Sequence, residues 1–292
     1  MLASRQTGIK PDENGIALGG GDASPYVFPN RKVTAATMPW IMSPNPLRTA
    51  NLRAPYSQAR CLAAESQMDD MAAAAGIDPV EFRLRHLTGS NNERVAAVLR
   101  AVAKQAAWVP RSSGADLARS AAARTGSATA ASSAIAKGRG VAISGLAGTV
   151  VAQIADVEVN RSTGKVTVNT VTVAHDCGII VNPDGVRNQI EGNVVQGCSR
   201  ALMEEVDFDS AGVKSLNWNS YPIMKFSDVP AVDIVLINHP ELPPMGAGEA
   251  STTAVAAAIG NAIFDAVGVR LRQVPFTPER VRSGLAQSSR KA

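Results

Sequence analysis

The sequence predicts an α+β fold, an antiparallel or mixed sheet flanked by helices, and three observations predict it. Apolar residues recur at helical spacing up to residue 108, the period changes to two beyond residue 139, and an Ala-rich, Gly-terminated helix follows residue 250. With 292 residues, 45% of them hydrophobic, the chain is long enough to bury a substantial core.

In chain order, Leu62, Met68, Met71, Ala72 and Ala75 fall on one side of a first helix, and Gly76 supplies a left-handed stop. A second helix opens at Asp78-Pro79. Asp78 can cap free backbone N–H groups, Pro79 suits the first helical position, and Glu81 favours the same end; the helix is expected to run to about Leu87. A third, around Asn92 to Trp108, carries Val95, Val98, Leu99 and Val102 on one face. From Val109 to Lys137 almost no large apolar residue occurs, so the segment cannot offset its ordering entropy and is expected to be a linker. The chain is thereby divided into 1–108, a linker at 109–138, and 139–292. In the last part Val151, Ala155, Val157 and Val159 lead through Asn160 to Gly164 into Val166 to Val173, a hairpin rich in strand-favouring Val and Thr. The loop Asp176 to Gly185 delivers a helix of about Val186 to Glu205, followed by short strands near Ile223 and over Val232 to Ile237. The final helix is expected to be capped by Ser251 or Thr252, to bury Val255, Ile259, Ala262 and Ala266, and to end at Gly268. No internal repeat is present.

Composition narrows the function classes. Net charge is +4, but the basic residues are scattered and aromatic content is 4%, which argues against nucleic acid. Cys61, Cys177 and Cys198 suit neither a disulfide framework nor paired-cysteine metal spacing, so a reducing compartment, the cytoplasm, is expected. Apolar stretches are broken well short of the roughly 20 residues that a membrane span needs, and MLASRQTGIK lacks a signal-peptide apolar region. There is no dinucleotide fingerprint, phosphate loop or nucleophile elbow; GGGD at Gly19 to Asp22 lacks the spacing. His86, His175 and His239 are dispersed and are read as structural, and no protein ligand set for a metal is expected.

Three segments can carry chemistry. In Pro243 to Thr252, Gly246, Ala247 and Gly248 let backbone approach a ligand closely, and Glu249 arrives just before a helix N-terminus, where backbone N–H groups favour a carboxylate ready to accept a proton. An ordinary helix start would look the same by position alone. In the helix after Pro183, Gln189, Asn193 and Gln196 form a stripe of uncharged amides, suited to the donor and acceptor edges of a polar heterocycle such as a pterin, or else a solvated face. In Asn51 to Ala59, Arg53 precedes Ala54-Pro55, a stiff turn able to hold its guanidinium or backbone toward a site.

The run NLRAPYSQARCLAAESQMDDMAAAAGIDPVEFRLRHL resembles the start of the last domain of molybdopterin-binding large subunits in the xanthine dehydrogenase and aldehyde oxidase family. The runs ADVEVNRSTGKVTV, AHDCGIIVNPDGVRNQIEGNVVQGCSRALMEE and PPMGAGEASTTAVAAAIGNAIFDAVGVRLRQVPFTPERV resemble the same family in the same order. NWNSYPIMKFSDVP and RLRQVPFTPERV are most similar to the isoquinoline 1-oxidoreductase beta subunit and nicotinate dehydrogenase type. The resemblance implies the fold of the C-terminal molybdopterin-binding domain, with Glu249 as general base, Gln189 as a pterin contact and Arg53 in the active-site arginine loop. It implies a molybdopterin cofactor, the cytosine dinucleotide form being left open. The implied reaction hydroxylates an N-heteroaromatic or aldehyde substrate with oxygen from water. Electrons leave through iron–sulfur clusters on a partner, because this chain lacks cysteines in usable spacing. Family large subunits are longer, so the resemblance also implies a partner chain carrying the other half of the subunit, beside an iron–sulfur small subunit. Where xanthine dehydrogenases have an aromatic substrate clamp, this chain has Pro55 or nearby Tyr56. A truncated or non-catalytic scaffold that keeps the fold is the alternative.

Overall fold

A computed structural model describes residues 24–30, 52–110 and 134–289; the Gly19 to Asp22 run, Asn51 and most of the expected linker lie outside them. Helices α1 (Ser57–Ala75), α2 (Pro79–His86) and α3 (Glu93–Gln105) come first. The α1 stop is Gly76 at φ +65°, its N–H bonded to Ala72 and Ala73 carbonyls, and Asp78 caps α2 by accepting from the Val80 and Glu81 N–H groups. Strands β1 (Ile135–Leu146), β2 (Thr149–Asn160) and β3 (Val166–Asp176) follow, then α4 (Pro183–Leu202), the short hairpin β4 (Phe208–Asp209) and β5 (Gly212–Val213), β6 (Ala231–Ile237), α5 (Val255–Val267) and α6 (Pro278–Ser289).

The main sheet has the order β1-β2-β3-β6, antiparallel except for the parallel β3–β6 pair that α4 connects. The architecture is therefore the expected α+β one, with a mixed sheet. Because successive strand side chains face opposite ways, the sheet builds two cores. Ala142, Val151, Ala155, Val171 and Val173 pack with Ile190 and Val194 of α4 and Val255, Ile259 and Ala262 of α5. Val141, Ile143, Ala152, Ile154 and Ala174 form the other core with Val98, Leu99 and Val102 of α3 and with Phe82 and Leu87. A buried ion pair ties the pieces together. Arg83 donates to Glu65 on α1, while the Tyr26 hydroxyl and the Ile143 N–H donate to the same Glu65 carboxylate, joining α2, α1, the 24–30 segment and β1.

Five elements differ from expectation. β1 is a full edge strand starting at Ile135, inside the stretch expected to be linker. Its signal is not apolar periodicity but Gly138 and Gly140, where an added Cβ would meet the α5 backbone, Ala262 O at 2.2 Å and Ala262 N at 2.1 Å. The helix after Pro183 starts one turn earlier than expected, because Asn182 caps it by accepting from the Gly185 N–H at 3.0 Å. No strand forms at Ile223. Pro222 offers no donor there, and an Asn217-centred turn receives the Ser220 and Tyr221 N–H groups. Neither Ser251 nor Thr252 caps α5, whose cap position is Ala254; Ala250–Thr252 form a 3₁₀ turn instead, and those two hydroxyls bond His175 and Asn193. Nor is α5 last: α6 follows, its core contacts limited to Val281 and the partly buried Leu285, too few to mark a helical period. The stretch Ala250–Val267 is long and apolar enough to cross a membrane, but 89% of it is buried in the fold, as a core helix.

Candidate active site

Three segments far apart in sequence meet along one side of α4, from Gln189 to Arg200. The first is the turn before α1, where Ala54 and Tyr56 hold φ +58° and +44°. For residues with a Cβ this left-handed backbone is strained, and it persists only where surrounding contacts enforce it. Here they do. The Arg53 carbonyl accepts from Gln58 Nε2 at 3.0 Å and from Arg200 Nη1 at 2.9 Å, and the Ala54 N–H donates to Glu249 Oε2 at 2.8 Å.

The second is the exposed face of α4. Arg53 reaches it with Nη2 on Gln189 Oε1 at 2.9 Å and Nη1 on Gln196 Oε1 at 3.4 Å. Partial burial lowers the pKa of the Arg53 guanidinium, and the charge of Glu249 opposes this. Gln189 is exposed, and its Nε2 bonds no described residue. Asn193, expected to share the ligand-facing stripe, does not. It is fully buried, donating to Gln189 O at 2.7 Å and Ala247 O at 3.4 Å while accepting from the Thr252 hydroxyl, so it braces the loop rather than facing a ligand.

The third is the loop before α5. Three successive carbonyls are tied to the scaffold: Gly246 O by the Thr149 hydroxyl at 2.8 Å, Ala247 O by Asn193, and Gly248 O by Arg53 Nε at 2.7 Å. The N–H groups of Gly246, Ala247, Gly248 and Glu249 bond no described residue, leaving a row of unspent donors. An added Cβ at Gly246 would meet nothing within 4 Å, and at Gly248 only Gln189 Oε1 at 3.9 Å, so the space beside this backbone is open. Glu249 stands half-buried at the cap position of the 3₁₀ turn.

Sequence reasoning missed the support beneath this loop. Arg94 binds the buried Asp176 carboxylate through Nε at 2.6 Å and Nη2 at 2.7 Å, donates to Gly148 O at 2.7 Å, and lies 3.8 Å from the Met245 sulfur. Burial would raise the Asp176 pKa, but the Arg94 and Gly178 hydrogen bonds and the Arg94 and His239 charges outweigh it and hold the carboxyl below its ordinary range. The Met245 N–H donates to Cys177 O at 2.8 Å, so the end of β3 carries the loop. An aspartate closing a Val/Thr strand was the available signal. The histidines are structural in their contacts. His86 packs on Phe28 and Phe82; buried His175 is hydrogen-bonded to Ser251 Oγ, its pKa pushed down to about 4 by desolvation; His239 lies between Asp176 and Glu241. All three thiols are free and buried, and burial pushes Cys198 up to about 12. Among the described residues no group of three or more His, Cys, Asp or Glu is placed to hold a metal ion.

Known proteins resemble this chain in sequence and in fold. The model of a molybdopterin cofactor-binding domain matches residues 56–230, a span that includes Gln189 but not Arg53 or Glu249. A nicotinate dehydrogenase subunit of Pseudomonas putida is 39% identical over 89% of this chain and 21% of its own length. The isoquinoline 1-oxidoreductase beta subunit of Brevundimonas diminuta is 34% identical over 74% of this chain and 25% of its own length. The chain thus spans a quarter or less of these two relatives. In fold alone it is similar to the aldehyde oxidoreductase of Desulfovibrio gigas, with TM-score 0.64 at 17% identity over 81% of this chain and 42% of that one. A family match over more than half of the sequence shows that this chain belongs to the molybdopterin cofactor-binding domain family.

Proposed function

We propose that this chain forms part of the active site of a molybdenum hydroxylase that oxidises an N-heteroaromatic or aldehyde substrate with oxygen from water. The observation that carries it is the convergence of the Arg53–Ala54 turn, Gln189 and the Gly246–Glu249 loop, which leaves one half-buried carboxylate beside open space. The residues suit a pterin: Gln189 Nε2 and the N–H groups of Gly246, Ala247 and Gly248 offer unspent donors, and Arg53 fixes both segments against each other. When bound, the molybdenum cofactor supplies a centre that accepts two electrons from the substrate. Glu249 accepts the proton of the water-derived nucleophile, which becomes reactive as that proton leaves. The Ala54 N–H holds one oxygen of that carboxylate, Oε2, and so ties the position of the base to the arginine turn.

On this reading residues 1–108 contribute the arginine turn and residues 139–292 the pterin-holding face and the base. The partners are a chain carrying the rest of the large subunit and an iron–sulfur small subunit that takes the electrons. The cofactor is molybdopterin, with the cytosine dinucleotide form as one of its candidate forms, and the three free thiols support a reducing, cytoplasmic setting. The names of the two relatives support the N-heteroaromatic class. In the assembled enzyme, Glu249→Gln, nearly isosteric, is expected to lower turnover by at least about 100-fold with molybdenum content retained. Turnover indifferent to that change at unchanged molybdenum would instead favour the scaffold, a reading that the closure of Arg53 on Gln189 and Gln196 supports.

A further inference from the structure

We propose that Arg200 is a positioning residue for Glu249, acting through the one peptide group that joins Arg53 to Ala54; the inference rests on Glu249 being the base. That peptide group is gripped at both ends. Its carbonyl accepts from the Arg200 guanidinium at 2.9 Å and from Gln58 Nε2 at 3.0 Å, and its N–H donates to Glu249 Oε2 at 2.8 Å. The carbonyl and N–H of a peptide are conjugated, so a cation on the oxygen withdraws electron density from the nitrogen and makes the N–H a stronger donor. The Arg200 charge therefore reaches a carboxylate that the guanidinium is not seen to touch.

Two further observations point the same way. The turn is held with Ala54 at φ +58°, a backbone that alanine adopts at a cost, and the two donors on the Arg53 carbonyl are among the contacts that fix it. Arg200 itself, in the last turn of α4, has Nε and Nη2 buried without a hydrogen-bond partner among the described residues. Its described hydrogen bonding is thus committed to a single carbonyl, an expensive use of a buried cation unless that carbonyl must be polarised. The charged and titratable groups around this relay are Arg53 on the turn, Glu204 beyond the end of α4, and Tyr221, whose hydroxyl donates to Glu204 at 2.8 Å. Glu204 offsets part of the Arg200 charge, and Arg53 adds to it.

Removing Arg200 weakens the Ala54 donor and loosens the turn, so Glu249 is held less firmly where it must meet the substrate-side proton. The test is steady-state kinetics of the assembled enzyme. Arg200→Met is expected to lower kcat by about 10-fold with KM and molybdenum content within about twofold of wild type. Arg200→Lys, which keeps a cationic donor on the same carbonyl, returns most of kcat, as loss of packing alone would not. In a Glu249→Gln background the Arg200→Met change should cost nothing further, because both act on one group. A folded Arg200→Met enzyme with wild-type kcat, or a loss that simply adds to that of Glu249→Gln, overturns the proposal. Should Arg200→Met not fold, Arg200→Gln keeps a neutral donor of similar reach, and an unchanged kcat there overturns it equally. Full turnover of Glu249→Gln by itself removes the catalytic assignment, whereas a lowered Glu249→Gln turnover beside an unaltered Arg200→Met removes only the relay.

Discussion

Gln189 spends one end of its amide and keeps the other. Oε1 takes the Arg53 guanidinium, while Nε2 is exposed and bonds no described residue, so the side chain both anchors the arginine turn and offers a donor to a ligand. Gln189→Leu removes both functions at nearly constant size. It is expected to cost roughly 1 to 3 kcal/mol in cofactor retention, seen as a fall in molybdenum per chain after dialysis of the assembled enzyme. Undiminished retention would make the α4 face a brace between protein segments and nothing more. At this scale the sequence was most informative where a residue's own neighbourhood specifies its chemistry. Glu249 after Gly246-Ala247-Gly248, Gln189 on a polar helix stripe, and Arg53 before Ala54-Pro55 were all legible, and the structure brings them together. What was not legible depends on contacts between segments distant in the chain: Arg200 on the Arg53 carbonyl, the Ala54 N–H on Glu249, Arg94 on Asp176 beneath the loop. Asn193 shows the limit in the other direction, since spacing puts it near Gln189 and Gln196 but the approach of the α5 loop buries it.

Among the elements, caps and turns were the readable features because each is a local exchange of hydrogen bonds. Asp78, Gly76 and the Asn160 to Gly164 turn behave as their residue types dictate, with Asn160 Oδ1 accepting from the Ser162 and Thr163 N–H groups. β1 was hidden for a physical reason. Its α5-facing positions are Gly138, Gly140 and Ala142, and an alternation of small residues against Lys137, Arg139 and Val141 does not register as apolar period two. The glycines instead admit the backbone of α5 directly onto the strand. Gly140→Ala places a Cβ 2.1 Å from Ala262 N, a backbone atom that cannot swing aside, and is expected to destabilise the chain by about 2 to 3 kcal/mol or more in urea unfolding. Gly145→Ala, on the same strand, meets nothing nearer than Thr149 O at 3.8 Å and should change stability by no more than about 0.5 kcal/mol. Equal effects at the two positions would mean that strand propensity, not helix-on-strand contact, sets the cost.

For the whole molecule, the two cores pack on either side of the sheet, but among the described residues nothing covers the return from α4 to β6. Leu216, Trp218 and Phe226 are 80%, 71% and 96% exposed within one short stretch, and Val181 at the mouth of α4 is 80% exposed. Single exposed apolar residues are ordinary; so many large ones on one loop are a surface that water does not favour. The two relatives described above extend far beyond the span they share with this chain, at 21% and 25% coverage, which supports a further part of the large subunit as the group that meets this loop. Expressed alone, the chain should therefore self-associate or elute as aggregate in size-exclusion chromatography and carry no molybdenum. Replacing both Trp218 and Phe226 by Ser should shift it toward monomer, because it removes the exposed area without touching either core. Co-expression with the remainder of the large subunit and an iron–sulfur chain should give one stable complex whose molybdenum content is stoichiometric and which oxidises an N-heteroaromatic or aldehyde substrate with a dye as acceptor. A wild-type chain that runs alone as a monomer with full molybdenum and hydroxylase activity would remove the need for partners. A metal-free monomer that binds neither chain would leave the fold as a scaffold.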